Sequence, residues 1–552
     1  MKRRDFIRNV SIGGLGSITL AGYPVRLLAG NHALKAAAMA SSNDNVLIFV
    51  QMHGGNDALN TLIPVDQYNA YYNLRANIAL PDYGSRKFIN VDESIPVQDQ
   101  VGLHPDMKDF KTLYDEGKAV IVQNVGYPNM NMSHFRGRDI VFMGMDGNTA
   151  DTAPDSSGWM GRFLDKEYPD YPAGYPSSSM PDPIAIELGE ALSIAFQRDN
   201  GIPIGLNVSS PQAFYNLINS VGSGIDYRNV SYAWPDGFAG DELKYLWQFE
   251  GMTDIYAGRL KQVYDAGANS TVQYPEKYPH PAPSGFLDNP LSGQLRLIAR
   301  LLDGGIKTRI FLCRIGGFDT HASQVESYDP TFGEHAALLY HLASAIKAFQ
   351  DDLAAMNIED KVLTMTFTEF GRRAYSNHSY GTDHGTSTPV FLFGKGLKGS
   401  IQGTNPDLND LDNGNLKYTT DYRSIYAAVV KDWFGASDTA MQATRFSEYA
   451  NNRIDLFGTL GVDNAVLRLK QTKCYPNPAT LNINFQFMIE KPGSASITIL
   501  NTLGQKVKHV IVNDLTYGVQ TVPVSISELK PGNYVYRIEG TKLIGVGQFI
   551  KN

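Results

Sequence analysis

Four stretches of the chain are predominantly apolar and end abruptly in glycine and polar residues. Residues 45–52, Asn-Val-Leu-Ile-Phe-Val-Gln-Met, stop at His53-Gly54-Gly55-Asn56-Asp57. Lys118–Asn124 stops at Val125-Gly126-Tyr127-Pro128, Thr308–Ile315 at Gly316-Gly317-Phe318-Asp319, and Val362–Thr368 at Glu369-Phe370-Gly371-Arg372. Predominantly apolar runs of this length mark strands covered on both faces. Helical periodicities lie between them. The clearest, Glu334–Leu353, puts Leu338, Leu342, Ala345, Ile346 and Phe349 on one face, and another helix is predicted over Asp421–Phe434. Buried strands alternating with amphipathic helices predict an α/β fold, a mostly parallel sheet flanked by helices. Sites on such sheets lie beyond the carboxyl ends of the strands, where the polar clusters of this chain fall. Residues 146–185 and 265–292, dense in Pro, Ser, Gly, Asp or Tyr, read as surface excursions.

After Cys474 the pattern changes to short β-branched runs: Leu481–Phe487, Ala495–Leu500, Gln505–Val512, Gln520–Ile526, Asn533–Glu539 and Gly545–Ile550. Turn signals such as Lys491-Pro492-Gly493 and Lys530-Pro531-Gly532 separate them, which predicts a small antiparallel β-sandwich. Four motifs stand here in order: Tyr475-Pro476-Asn477-Pro478-Ala479, Leu500-Asn501-Thr502-Leu503-Gly504-Gln505, Leu529-Lys530-Pro531-Gly532-Asn533-Tyr534 and Phe549-Ile550-Lys551. Together they resemble the type A C-terminal sorting domain of the type IX secretion system. That resemblance implies delivery across an outer membrane. A carbohydrate-binding or adhesive β-module is the other reading of the same runs.

The N-terminal residues point the same way. Lys2-Arg3-Arg4-Asp5-Phe6-Ile7 precedes a weakly apolar stretch, Val10–Leu28, diluted by Gly13, Gly14, Gly16 and Gly22. A short apolar segment behind a basic start reads as a signal peptide, and the paired arginines resemble the twin-arginine signal, which exports folded proteins. Ala38-Met39-Ala40 offers a cleavage site before Ser41. The expected division is a signal over 1–40, an α/β unit over 41–468 and a sorting domain over 469–552. The expected route runs through the twin-arginine translocase to the periplasm, then through the type IX system to the cell surface or medium. No run reaches the length of an integral membrane segment.

Composition narrows the partners. Of 552 residues 43% are hydrophobic and 19% charged, as in globular proteins. A net charge of −8 without long charge runs gives no case for nucleic acid. Two cysteines, Cys313 and Cys474, are too few for a disulfide framework, and Cys313 reads as a small buried hydrophobe.

The candidate chemistry sits at the strand ends. Asp319-Thr320-His321 and Asp383-His384-Gly385 each join a carboxylate to an imidazole, a donor set suited to zinc, manganese or iron more than to calcium. Glu369 closes one strand and Asp57 follows another, so both are candidates for the same crevice. Ser133-His134 opens a helix that continues through Arg136 and Arg138. Ser133 reads either as a nucleophile beside backbone N–H groups or as a capping serine. Arg136 reads either as a holder of an anionic substrate group or as a surface arginine. His134, His53 and His104 are candidates for acid or base work, although His104, within Leu103-His104-Pro105, also suits a loop-fixing role.

These residues carry a second resemblance. Gly54-Gly55-Asn56-Asp57-Ala58-Leu59-Asn60, Leu103-His104-Pro105, Met132-Ser133-His134-Phe135, Gly316-Gly317-Phe318-Asp319-Thr320-His321, Thr368-Glu369-Phe370-Gly371-Arg372, Gly381-Thr382-Asp383-His384-Gly385 and Tyr422-Arg423-Ser424-Ile425-Tyr426 stand in that order. They are similar to the DUF1501 family, placed by similarity in the alkaline phosphatase/sulfatase superfamily. The resemblance implies an alkaline phosphatase-like fold. It also implies metal ligands among Asp57, Asp319, His321, Asp383 and His384, with Ser133 near the nucleophile position. Glu369, at its strand end, joins Asp57 and the two Asp/His pairs as a candidate ligand. Two departures stand out. The first Asp and His are two residues apart where superfamily phosphatases have four, and Glu369-Phe370 stands where they have Asp-His. The formylglycine motif of standard sulfatases, a Cys or Ser followed two residues later by Pro and then by Arg, is absent from the chain. Two functions are therefore expected: a metal-dependent hydrolase of phosphate or sulfate esters, small-molecule or polysaccharide, or a non-catalytic glycan-binding surface protein on the same fold.

Overall fold

The computed structural model describes residues 44–457 and 473–552, apart from 151–156, 220–255 and scattered single loop positions or short loops, and adds two paired strands, Ser17–Leu20 and Tyr23–Arg26. The arginine pair and the cleavage site of the expected signal lie outside the described residues.

Among the described residues one large sheet has nine strands. They are β1 (Val46–Met52), β2 (Ala119–Gly126), β3 (Ala185–Leu188), β4 (Leu206–Val208), β5 (Ile310–Ile315), β6 (Val362–Phe367), β7 (Thr388–Phe393), β8 (Ile401–Gln402) and β9 (Thr420–Asp421). The order is β8-β2-β7-β6-β1-β5-β3-β4, with β9 also along β2. β1 lies parallel to both β5 and β6, and β7 alone runs antiparallel to its neighbours β6 and β2. β1 is buried along its whole length, and its side chains divide between two cores. Val46, Ile48, Val50 and Met52 enter one with helices α1 (Lys108–Asp115), α4 (Pro290–Asp303) and α5 (Glu334–Ala355). Leu47 and Phe49 enter the other with α2 (His134–Met143), α3 (Trp159–Glu167) and α6 (Tyr422–Ala428). Phe49 stacks on Phe367 at 4.2 Å, tying β1 to β6. The predicted helix over 421–434 is present: the Asp421 carboxylate caps Arg423 N–H, and α6 continues as a π-helical turn, Val429–Trp433. Cys313 is buried in β5, as expected of a small hydrophobe.

The excursion expected over 146–185 is corrected. It contains α3, whose Trp159, Met160, Phe163 and Leu164 are buried in the core. Burying each such side chain is worth about 1.5–3 kcal/mol, enough to hold a helix inside a stretch whose composition otherwise reads as loop. The 265–292 stretch likewise buries Tyr274 and Tyr278.

The C-terminal residues form the predicted β-sandwich. One antiparallel sheet has the order β10 (Lys473–Tyr475), β11 (Asn482–Ile489), β14 (Gly518–Ser525). The other has β13 (Lys506–Leu515), β12 (Gly493–Leu500), β15 (Gly532–Gly540), β16 (Leu543–Lys551). Ile483, Phe485, Ile497, Ile499, Tyr536, Ile538 and Phe549 fill the space between them. No helix among the described residues is long and apolar enough to cross a membrane.

Candidate metal centre

The carboxyl ends of β1, β5 and β6 lie side by side, and the loops that leave them are locked by close backbone approach. Gly54 has a φ of +126°, and a Cβ there would stand 2.3 Å from the Asp319 nitrogen. Only glycine lets the two loops touch. The buried Arg372 guanidinium completes the lock, donating to the carbonyls of Gly54, of Gly55 at 2.7 Å, of Phe318 at 2.9 Å and of Thr382 at 3.0 Å. Arg372 pairs with His384 in a short antiparallel ladder, Gly371–Arg372 with His384–Gly385, which sets the Asp383-His384 pair over the sheet.

Asp319 is the centre of the arrangement. Its carboxylate lies 3.3 Å from His134 Nε2, 3.2 Å from His384 Nε2 and 3.2 Å from His321 Nε2, and accepts from Arg372 Nη2 at 2.7 Å. The other nitrogen of each ring is already committed. His134 Nδ1 lies 3.0 Å from the Glu369 carboxylate, His384 Nδ1 2.8 Å from the Met132 carbonyl, and His321 Nδ1 3.3 Å from the Asp383 carboxylate. Carbonyls and carboxylates only accept, so each Nδ1 must carry the proton and donate. When neutral, imidazoles so fixed turn three Nε2 lone pairs toward a carboxylate. Acceptors facing acceptors are drawn together by positive charge, supplied by a metal ion or by protonation of the rings. Nε2 of His134 is moreover buried without a hydrogen-bond partner; Asp319 is near it but outside hydrogen-bonding geometry.

Ligand atoms of His134, Asp319 and His384 lie within 4.8 Å of one another. Tetrahedral zinc, with bonds of about 2.0–2.2 Å, separates its ligand atoms by roughly 3.3–3.6 Å, so the 3.2–3.3 Å spacings around Asp319 fit. The residues present thus suit a divalent metal on His134, Asp319 and His384, with His321 beside them.

The electrostatics follow the geometry. Glu369 is fully buried; burial opposes its charge, yet hydrogen bonds from His134 and His53 hold its pKa at about 2. That carboxylate in turn raises His134 through its hydrogen bond. Burial and the Arg372 charge lower His384. Asp319 stays below the ordinary carboxylate range because Arg372 outweighs the desolvation that works against it. Asp383 is lowered too, its burial offset by Asn377 and His321.

The expected site residues divide accordingly. Asp319, His321, Asp383 and His384 come together, and His134 joins them as a member of the cluster. Glu369 stands behind His134 rather than in the cluster, accepting from His134, from His53 at 3.3 Å and from Gly54 N–H at 2.8 Å. A carboxylate that orients a metal-binding histidine is a second-layer group. Asp57 is not brought in: its carboxylate is bound by Arg75 at 2.7 Å and Gln324 at 2.6 Å, and it caps Leu59 N–H. Ser133 occupies the N-cap position of α2, but its exposed hydroxyl makes no capping bond. Arg136, on the first turn, lies within electrostatic reach of Tyr127, where it partly offsets the upward push of burial on the phenol. His104 is buried and accepts Asp106 N–H at 3.1 Å, a loop-fixing contact. Arg372, Asn377 and Gln324 were not anticipated. For Arg372 the only sequence signal is an arginine three residues beyond a strand-end carboxylate.

Residues 260–439 match the family described as a protein of unknown function, DUF1501, and residues 473–552 match the secretion system C-terminal sorting domain. The chain carries a DUF1501 segment and a sorting tail. The DUF1501 segment contains β5 to β9 and α4 to α6, hence Asp319, His321, Glu369, Asp383 and His384; His134 and Asp57 precede it. The sorting tail coincides with the β-sandwich and marks the chain for export. No curated protein matches the chain. Among solved structures it is similar to a protein in the alkaline phosphatase superfamily from Vibrio parahaemolyticus, at 11% identity over 87% of this chain and 80% of that one, with a TM-score of 0.32. It is similar also to the PsFucS1 sulfatase from Pseudoalteromonas sp., at 10% identity, 88% and 87% coverage and a TM-score of 0.31. The phosphonate monoester hydrolase SpPMH from Silicibacter pomeroyi gives 9%, 81%, 80% and 0.28.

Proposed function

We propose that this protein is an exported metal-dependent hydrolase of phosphate or sulfate esters, using zinc or manganese. The observation that carries the reading is the convergence of three imidazole lone pairs on Asp319, each ring fixed by an acceptor behind it. His134, Asp319 and His384 would hold the metal, with His321 and Asp383 beside them. A bound metal would polarise the ester oxygen and lower the pKa of a nucleophile. Glu369 keeps His134 in the tautomer that presents Nε2. Ser133, exposed at the start of α2, would serve as nucleophile, with the first backbone N–H groups of the helix near developing negative charge. The export route proposed is the twin-arginine translocase followed by the type IX system, so that the α/β unit folds before it crosses.

The test is metal analysis and ester turnover of the full chain beside its Asp319→Ala and His384→Ala variants. One tightly held divalent ion, lost together with phosphatase or sulfatase activity in both variants, is the expected result. Metal content unchanged by the two substitutions combined would sink the site.

A non-catalytic glycan-binding protein is the second reading, favoured by the exposed rings of Phe135, Tyr375 and Tyr380 on the segments that carry His134 and His384. It predicts glycan binding with no turnover in the metal-loaded protein.

A further inference from the structure

Arg314 stands near the carboxyl end of β5, directly across from Gln51 of β1 in the parallel register. It is half-buried, and its backbone is pinned by Gln294, which accepts from its N–H at 3.1 Å and donates to its carbonyl at 2.8 Å. The guanidinium makes one side-chain hydrogen bond among the described residues, from Nε to the neutral Gln51 Oε1 at 3.0 Å. No described carboxylate lies within ion-pair distance of it, and neither Nη atom is sealed from solvent. A charge taken partly out of water without a counter-charge is costly. Among the described residues neither Nη group has a partner, which leaves the pair as an open fork.

One carboxylate shares this face of the sheet without forming an ion pair with it. Glu187 of β3 aligns with Leu312, two residues before Arg314 and on the same face. It is buried and spends its Oε2 on Ser193 N–H at 2.7 Å. Burial pushes its pKa up to about 7, against the weaker pull of Arg314 and Arg138. Arg138, one turn beyond His134 on α2, also acts on Glu187, but its guanidinium is paired with Asp139 at 3.1 Å, which leaves Arg314 as the uncompensated charge of the corner among the described residues. The corner is continuous with the metal centre. Gln51 Nε2 lies 3.3 Å from His53 Nδ1, and the His53 ring stands 6.1 Å from that of His134.

We infer that Arg314, held by Gln51 beside the metal centre, is an anion subsite that takes a carboxylate, sulfate or phosphate group of the substrate other than the ester being cleaved. The substrate class is then an ester bearing a second negative charge. A planar guanidinium with a free edge binds such oxyanions bidentately. The identity of the bound molecule rests on the hydrolase reading; the subsite itself does not, because it needs no metal.

The test is calorimetric titration of the metal-free full chain with sodium sulfate, sodium phosphate and sodium acetate in turn, beside Arg314→Met and Gln51→Glu. Methionine keeps the apolar stem, and the glutamate lays a carboxylate on the guanidinium without removing it. Saturable binding of at least one oxyanion by the native chain, weakened about tenfold or more in both variants, is expected, and the preferred anion identifies the second group. No saturable binding by the native chain, or binding unchanged in Arg314→Met, would overturn the subsite; if that variant does not fold, Gln51→Glu alone decides in the same way. A parallel zinc titration of the native chain reports on the metal centre separately.

Discussion

Replacing Glu369 with glutamine keeps an acceptor for His134 Nδ1 but removes the charge behind the ring. Losing such a support typically costs about 10–100-fold in metal affinity, so competition of Glu369→Gln with a chromophoric chelator should show a loss of that size. Equal affinity would deny Glu369 its supporting role. Asp57 gives the opposite pattern. It lies against Arg75, both side chains fully inside the protein. Asp57→Ala leaves a buried guanidinium without its carboxylate, a cost of about 3–5 kcal/mol. The urea midpoint should fall accordingly while metal stoichiometry is unchanged. The two carboxylates look alike in the sequence, since each stands where an apolar run gives way to a glycine-containing turn. What separates them is three-dimensional: Arg75 and Gln324 come from distant segments to occupy Asp57, and His134 comes from α2 to occupy Glu369. Asp319, His321, Asp383 and His384 were legible because each pair is adjacent in the chain and lies in a loop of the site. Arg372 was not, because its five bonds go mostly to backbone carbonyls, which carry no residue signature.

At the level of loops and strands, the centre depends on two segments that share no secondary structure. Gln324 joins them. Its Oε1 accepts from Thr320 at 3.0 Å and from Thr382 at 2.7 Å, and its Nε2 donates to Asp57. Thr320 sits between Asp319 and His321, and Thr382 precedes Asp383, so one buried amide sets the spacing of the two pairs. Gln324→Leu strands two hydroxyls, a penalty of about 1–3 kcal/mol for each, and leaves Asp57 Oδ2 with Arg75 as its remaining donor. Metal affinity should fall in this variant, and cobalt bound in place of zinc should show an altered visible spectrum. A spectrum identical to that of the native chain would mean the loops hold their spacing without Gln324. The strands themselves were the most legible elements, β1, β2, β5 and β6 falling within a residue or two of the expected runs. β7 escaped notice because Pro389 interrupts its apolar run. Proline is tolerated inside a sheet at a bulge, and the register between β7 and β2 shifts between Thr388 and Val390.

Over the whole molecule, buried ionisable groups set how stability responds to pH, and they pull in different directions. Burial depresses His104 to about 3 and His335 to about 4 from an ordinary 6.5. Between those values and 6.5 the unfolded chain binds more protons, so both histidines make the protein less stable as the pH falls below 6.5. Burial raises Glu187 and Glu334 each to about 7 from an ordinary 4.5. Here the folded state binds the extra proton, and the associated stability is lost as the pH rises from 4.5 to 7. Glu369, held at about 2, adds a loss of stability below 4.5. The opposing terms between 4.5 and 6.5 leave a shallow slope, whereas below 4.5 the histidines and Glu369 act together and the slope becomes steep. Urea midpoints of the metal-free chain measured from pH 4 to 7.5 should trace this shape. In Glu187→Gln one of the two opposing terms is gone, so stability should climb from pH 5 to 6.5 where the native curve is nearly flat. Superimposable native and variant curves across that interval would show that Glu187 does not hold its proton in the folded protein. Arg314 would then face a charged neighbour, and the open guanidinium fork beside the metal centre would lose the protonation state that keeps it available to an outside anion.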